Sequence, residues 1–264
     1  MSLGIKAMAA NYAALQTTGH NIANANVAGY SRQQAELATT PGQFTGSGYF
    51  GRGVSVVTVS RAHDALLGRE AAGARSLTAM DAARLAQLSR LESIFKPGES
   101  GMGHAISQFL NSMVDVSSRP GDGSARQVVL ARAGELTARF NTAGAAINEL
   151  QIGVSNDIRA AVAETNGLAQ GIAQANQRIA AVKGLGQPAN DLMDERDRLI
   201  AKLSEKFQVS LVPATDGTVG VFIGGGQGLV LGAQASQLVV VPDQSNPSRV
   251  AVGIQDGPNV RRLQ

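Results

Sequence analysis

A chain of 264 residues with a formal charge of only +3 contains no cysteine and three scattered histidines, His20, His63 and His104. Those counts remove disulfides and thiolate metal sites, leave no histidine pair at zinc spacing, and supply no basic stripe for a nucleic acid. Charged residues are 16% of the chain and apolar ones 44%, a balance that suits surfaces buried against other copies or partners rather than a charged disordered tail.

In chain order, residues 3–24 predict a helix. Met1, Ile5, Met8, Tyr12, Leu15, Gly19 and Ile22 recur at alternating spacings of four and three, the heptad rhythm of a helix that packs along another helix. Ala7, Ala9, Ala10, Ala13 and Ala14 cover much of the remainder, and the near lack of charge favours an assembly helix over one serving only its own core. The opening residues do not read as a secretory signal, because Lys6 is the only Lys or Arg before Arg32 and Asn11, Gln16, Thr17 and Thr18 break the apolar run. No stretch approaches the ~20 apolar residues of a membrane helix, so membrane insertion is not expected.

Asn24, Asn26 and Gly29 end this helix, and residues 30–39 read as extended. Glycines 42, 46, 48, 51 and 53 then punctuate a connection before Val54, Val56 and Thr58 alternate as a strand. Within the turn, Asn21 and Asn24 can bond nearby backbone, Gly29 permits a sharp change of direction, and Tyr30 offers an apolar anchor with a polar tip. Arg32 can reach a carboxylate or carbonyl of a neighbour. The residues alone leave an ordinary helix-to-strand loop and an interaction loop equally open.

Helical periodicity returns over 62–95, anchored by Leu77, Met80, Leu85, Leu88, Leu91 and Phe95, and stops at Pro97-Gly98. A shorter helix follows with Ile106, Phe109, Leu110, Met113 and Val116 on one face. Ser124-Ala125-Arg126-Gln127 fits a capping box, with the serine oxygen on an orphan amide and the glutamine reaching back. Behind it a seam runs from Leu130 to Val182 at alternating spacings of three and four. A helix of about sixty residues, from the cap to the end of this seam, is on the order of 90 Å long, a rod or coiled-coil arm rather than a globular helix. It is expected to pack against 62–95 and the later helices.

After Gly184-Leu185-Gly186, a helix carrying Leu192, Met193, Leu199, Ile200 and Leu203 is expected. Its Asp191, Asp194, Glu195, Arg196, Asp197 and Arg198 read as a solvated face with local ion pairs. Beyond Phe207 the period becomes two, and Asp216-Gly217 between alternating runs marks a hairpin. Leu229–Leu231 and Leu238–Val241 read as further strands.

Catalytic and cofactor signals are weak. Gly224–Gly228 lacks the Gly-Lys-Ser/Thr ending of a phosphate loop and precedes a strand, so a hairpin turn is the better reading. The carboxylates of 191–197 lack calcium-loop spacing, Tyr30 and Arg32 stand without a basic stripe, and no nucleophile motif such as GxSxG occurs. No cofactor, metal or nucleic acid is expected. The fold class expected is mainly α with a smaller β part, a long antiparallel helical bundle or coiled-coil arm followed by a β-rich domain that reads as truncated. Residues 1–30 form an assembly helix and Asn-rich turn, 31–206 a long-helix bundle with a small β excursion at about 31–60, and 207–264 a partial outer β domain.

The segment Asn21-Ile22-Ala23-Asn24, Val27-Ala28-Gly29-Tyr30, Ser31-Arg32-Gln33 resembles the N-terminal signature of bacterial flagellar axial proteins. Pro188-Ala189-Asn190-Asp191-Leu192-Met193-Asp194-Glu195-Arg196-Asp197 and Asp122-Gly123-Ser124-Ala125-Arg126-Gln127 are similar to stretches of the hook-associated protein 1 family, the hook–filament junction proteins. The resemblance spans about residues 1–206 and, with the long helices, favours that family over the rod and hook subunits that share the first motif.

It implies a structural protein rather than an enzyme, exported to the extracellular flagellum without a cleaved signal peptide. The partners implied are other copies in a ring, the hook protein, a second junction protein, and the export apparatus with its chaperone. Ile5, Met8, Tyr12, Leu15 and Ile22 would supply an inner seam, with Asn21, Asn24, Gly29, Tyr30 and Arg32 shaping the turn out of it. The family pairs its first helix with a C-terminal helix, and none follows Val250 here. The chain is therefore expected to be the N-terminal part of a longer protein or a short version of it, with its first helix mobile in an isolated monomer.

Overall fold

The computed structural model of the chain describes residues 2–44, 46–243, 246 and 249–263. Two compact units emerge, one of Met1–Ala79, Val162–Val239 and Val252–Gln264, the other of Met80–Ala161 and Val240–Ala251.

In the first unit, helix α1 (Ser2–Asn24) leads into a hairpin of β1 (Gln33–Thr39) and β4 (Val54–Arg61). The pair is antiparallel from Gln33↔Arg61 to Thr39↔Val54, with a register shift at Glu36/Leu37. At its tip, β2 (Gln43–Phe44) and β3 (Tyr49–Phe50) form a minor hairpin. Helix α2 (Ala65–Ile94) starts on Asp64, whose Oδ1 accepts the amides of Leu66 at 2.7 Å and Leu67 at 3.2 Å. An acidic side chain there meets both the orphan amides and the positive end of the helix.

The longest element is α4 (Gly123–Gly184), 62 residues in one helix. It begins on Asp122, not on the expected serine cap. The Asp122 Oδ1 accepts the Ser124 amide at 2.8 Å, which puts Ser124 itself inside the first turn.

From residue 162 onward α4 is the backbone of the first unit's core. Val162, Ala169, Ile172, Ala175 and Ile179 are buried, together with Ile200 and Leu203 of α5 (Asn190–Ser204). Facing them is a four-stranded antiparallel sheet in sequential order: β5 (Ser210–Pro213), β6 (Val219–Ile223), β7 (Gln227–Leu231) and β8 (Gln234–Ala235). Val221, Ile223, Leu229 and Val230 fill its inner face. This part of the seam therefore packs on sheet and α5. Gly171 lies 3.1 Å, measured from where a Cβ would sit, from a Leu199 methyl.

Asp216-Gly217 makes the expected β5–β6 turn, Gly217 taking φ 87°. Gly224, Gly225 and Gly226 make the β6–β7 turn with φ of 49°, 75° and 107°. Three consecutive residues at positive φ exclude side chains on steric grounds, which is why this turn is built of glycine. Strands β9 (Leu238–Pro242), β10 (Val250–Asp256) and β11 (Asn259–Arg262) form a second, three-stranded sheet.

Two asparagines of α4 fasten it to these strands. Asn166 donates to the Leu238 carbonyl at 2.9 Å and accepts the Leu238 amide at 2.8 Å. Asn176, fully buried, does the same for Val219 at 2.9 and 3.1 Å and donates also to the Gly232 carbonyl at 2.8 Å. Asn176→Ala should strand a buried amide and two carbonyls at a cost of ~1–3 kcal/mol for each uncompensated group, less whatever water recovers. Urea denaturation will show it, and a midpoint equal to wild type would contradict the role given to Asn176.

In the second unit, residues 80–94 of α2, α3 (Met102–Ser118) and residues 123–161 of α4 come together. Arg139 donates to the carbonyls of Glu99 at 3.3 Å and Gly101 at 3.1 Å and to Glu135 Oε1 at 2.7 Å, holding the loop before α3 on α4. The contacts rely on small residues, Ala105, Ser112 and Ala143 being buried. Ile106, Leu110 and Met113, expected on one face of this helix, remain substantially exposed, as do Leu130 and Phe140 of α4.

Candidate assembly surface and the clasp behind it

Helix α1 carries two stripes of different chemistry. Lys6, Ala10, Ala13, Ala14, Thr17, Asn21 and Asn24 are covered or half covered and recur at spacings of three and four, so they share one face. This face lies toward β1 and β4, with Ala10 at 2% exposure and the Lys6 ammonium 3.5 Å from the Arg52 carbonyl. Small side chains let the helix sit close to the hairpin. Helix α1 thus has a partner within its own chain, against the expectation of an unpaired helix.

The large apolar residues face the other way. Ile5, Met8, Tyr12, Leu15 and Ile22 are all between 64% and 73% exposed. The structure brings these five onto one uncovered stripe; Met1, which extends the same rhythm, lies outside the described residues. A helix serving only its own core would show the opposite arrangement.

The turn after α1 is held by Asn21. Its Oδ1 accepts the Tyr30 hydroxyl at 2.7 Å and the Gln33 amide at 2.8 Å, while its Nδ2 donates to the Gln33 carbonyl at 2.8 Å. Asn24 donates to the His20 carbonyl at 2.9 Å and accepts the Val27 amide on its own carbonyl at 2.9 Å. The His20 and Tyr30 rings meet edge to face at 5.5 Å. Gly29 takes φ 78°, and a Cβ there would lie 2.3 Å from Arg198 Cγ, so the position demands glycine both for its backbone and for its neighbour.

That neighbour belongs to α5, and the contact extends along it. Asn190 donates to the Val59 carbonyl at 2.7 Å, and Asp191 accepts from Gln33 Nε2 at 2.7 Å. Asp194, 4% exposed, accepts the Ser31 amide at 2.9 Å and Arg61 Nη1 at 2.8 Å. Arg61 also pairs with Asp197 at 2.8 Å, and Arg196, itself 4% exposed, binds Asp197 Oδ1 and the Gly217 carbonyl at 2.7 Å. Burial works against the charge on Arg196 and Asp197 works for it. Asp194 and Arg196 are therefore no part of a solvated face, whereas Asp191 and Arg198 remain exposed. The two covered residues are the buried half of a clasp whose other half is the Asn-rich turn and the end of β4.

Sequence reasoning found the turn and missed its partner. Asn21, Asn24, Gly29 and Tyr30 come together as expected. Arg32 does not join them; its carbonyl accepts the Ala62 amide at 2.7 Å, but its exposed guanidinium makes no hydrogen bond or ion pair among the described residues. Asp194 and Arg196 were expected on a solvated face, and Asn190 and Arg61 carried no expected role in the turn.

Burial, then the Asp191 and Asp194 carboxylates, push the Tyr30 phenol above its ordinary value of 10.0. The unfolded chain then ionises Tyr30 before the folded one does. Its stabilisation is complete below the ordinary value and is lost as pH rises through the folded one. Wild type should lose stability relative to Tyr30→Phe as pH rises past about 10. Parallel denaturation curves for the two proteins across that range would contradict this.

The chain is mainly helical, with a long uninterrupted helix followed by small antiparallel sheets, an α-plus-β structural class. Residues 88–263 match the family described as the flagellar hook-associated protein FlgK helical domain, and the chain belongs to that family. It is 32% identical over 246 residues to flagellar hook-associated protein 1 of Salmonella typhimurium, covering 92% of this chain and 44% of that protein. The corresponding Bacillus subtilis protein is 28% identical over 214 residues, 78% of this chain and 42% of its own length. Among solved structures, the flagellar hook junction protein FlgK from Burkholderia pseudomallei superposes with a TM-score of 0.67 at 27% identity, covering 74% of this chain and 36% of that one. The chain spans less than half the length of the curated relatives it matches. The resemblance read from the sequence and the expected fold class are both borne out.

Proposed function

We propose that the chain is a structural, non-enzymatic part of the flagellar hook–filament junction. One observation carries the reading: the heptad seam of Ile5, Met8, Tyr12, Leu15 and Ile22 is turned away from the chain's own core. Apolar seams of this kind are covered by another helix in the functional state. Membership of the hook-associated family and relatives named flagellar hook-associated protein 1 support it.

In this reading residues 1–30 form the inner assembly segment, 31–206 the arm and 207–264 an outward β part. Asn21, Asn24, Gly29 and Tyr30 fix the angle at which the seam leaves the arm, and Arg32 is free to bind a neighbour. The partners are further copies in a ring, the hook protein and a second junction protein, reached through the export apparatus and its chaperone. The location is the extracellular flagellum.

The test is complementation of a flagellate strain lacking its junction protein, with this chain carried in a full-length family context. Met8→Asp/Leu15→Asp alters only exposed positions, so the isolated chain should keep its stability within about 0.5 kcal/mol per site. Filaments should nevertheless fail to form while the protein still reaches the medium. Normal swimming by this variant would overturn the reading.

A further inference from the structure

A cleft of about 570 Å³ opens in the first unit between the start of α2, the Asn-rich turn and α5. Its volume is that of a ligand pocket, ~300–1,000 Å³. Ala65, Ala72, Ile200, Ala201, Leu211 and Val219 supply an aliphatic part of its lining, beside the polar side chains of Tyr30, Ser31 and His63. Gly29 and Gly68 at its wall add no side chain to close it.

The rim is cationic. Arg69 and Arg75 of α2 stand on it with Arg198 and Lys202 of α5. All four are exposed, and none makes a side-chain hydrogen bond or ion pair among the described residues. Two carboxylates belong to the lining, Glu205 and Asp197. Asp197 is already engaged by Arg61 and Arg196, which leaves Glu205 alone against four cations. His63 stands 3.8 Å from Asp197 and adds no free negative charge.

The distribution of this charge selects the ligand. Arg69 and Arg75 are about 9 Å apart along their helix and Arg198 and Lys202 about 6 Å along theirs, from the rise per residue. A single compact anion cannot satisfy cations spread along two helices, nor use an aliphatic lining. An amphipathic helix can, with apolar anchors at i, i+3, i+4 and i+7 in the groove and carboxylates on both flanks. We infer that this cleft docks an acidic amphipathic helix of a partner protein. The inference goes beyond the assembly reading and uses none of the seam residues of α1.

The experiment titrates the full chain into a fluorescently labelled helical peptide carrying leucine at the four anchor positions and glutamate on the flanks. Anisotropy should rise saturably. Binding should weaken by at least about tenfold for Arg75→Glu/Lys202→Glu, and again when salt is raised until charges are screened beyond contact range. A peptide with lysine in place of each glutamate should not bind. Circular dichroism on the double variant checks that its helices persist.

Three outcomes overturn the proposal. The first is equal binding of the lysine and glutamate peptides, or binding unchanged by charge reversal. The second is self-association in sedimentation through these same residues, which makes the occupant a second copy. The third is a fatty acid binding where the peptide does not, which makes the cleft a site for a small anionic amphiphile.

Discussion

Asp194→Ala is expected to destabilise the unit that contains it by ~3–5 kcal/mol, the usual effect of removing one partner of a buried ion pair. Its carboxylate receives the Ser31 amide and Arg61, whose side chain is only 9% exposed. Alanine leaves that amide without its partner and a buried guanidinium with Asp197 alone. At ~2–4 °C per kcal/mol for a unit of 150–250 residues, the thermal midpoint should fall by on the order of 10 °C.

Asp194→Asn retains an oxygen for Ser31 but no charge for Arg61, and should fall between the two. Replacing both Asp194 and Arg61 by apolar residues should cost less than Asp194→Ala, because no charge is then stranded. If Asp194→Ala melts with wild type, the clasp contributes nothing to stability.

At Gly144 two substitutions should act in opposite directions. The residue lies in the middle of α4 with helical backbone, and a Cβ built there meets nothing within 4 Å. Alanine should stabilise by ~0.4–1 kcal/mol, since it restricts the unfolded chain and adds no clash. Proline deletes a ladder hydrogen bond and collides with the preceding turn, costing ~3 kcal/mol or more. Far-ultraviolet circular dichroism through thermal melting separates the two. A proline variant that melts like wild type would mean that this stretch is not a continuous helix.

The helices were legible because their period was long and their ends were marked. Asn24 and Gly29 close α1, and Pro97-Gly98 follows α2 closely. The cap of α4 was misassigned by two residues because Asp122 and Ser124 are equally good cap residues, and only geometry distinguishes them. The last hairpin was missed although Asp256-Gly257 is the same signal as Asp216-Gly217; Gly257 takes φ 58° between β10 and β11.

The clasp was half legible. A run of Asp, Glu and Arg on a helix has the same pattern whether water or another segment faces it. What buries Asp194 and Arg196 is Arg61 and the Gly217 carbonyl, 133 and 21 residues away. No local pattern encodes that. The outward seam of α1 was legible as a rhythm, but its direction was not. That depended on the covering of Ala10, Ala13 and Thr17, the small stripe opposite, by β1 and β4.

Three asparagines pair with the main chain as a neighbouring strand would, each engaging both the amide and the carbonyl of one residue: Asn21 with Gln33, Asn166 with Leu238 and Asn176 with Val219. Each pairing needs a side chain that donates with one arm and accepts with the other, which aspartate cannot do when ionised. Slow hydrolysis of an amide to a carboxylate would therefore turn attraction into repulsion at a carbonyl, with no change in size. Asparagine is among the thermally labile residues. Chemical ageing at these three nitrogens would thus loosen three attachments between elements of the chain without altering any apolar contact.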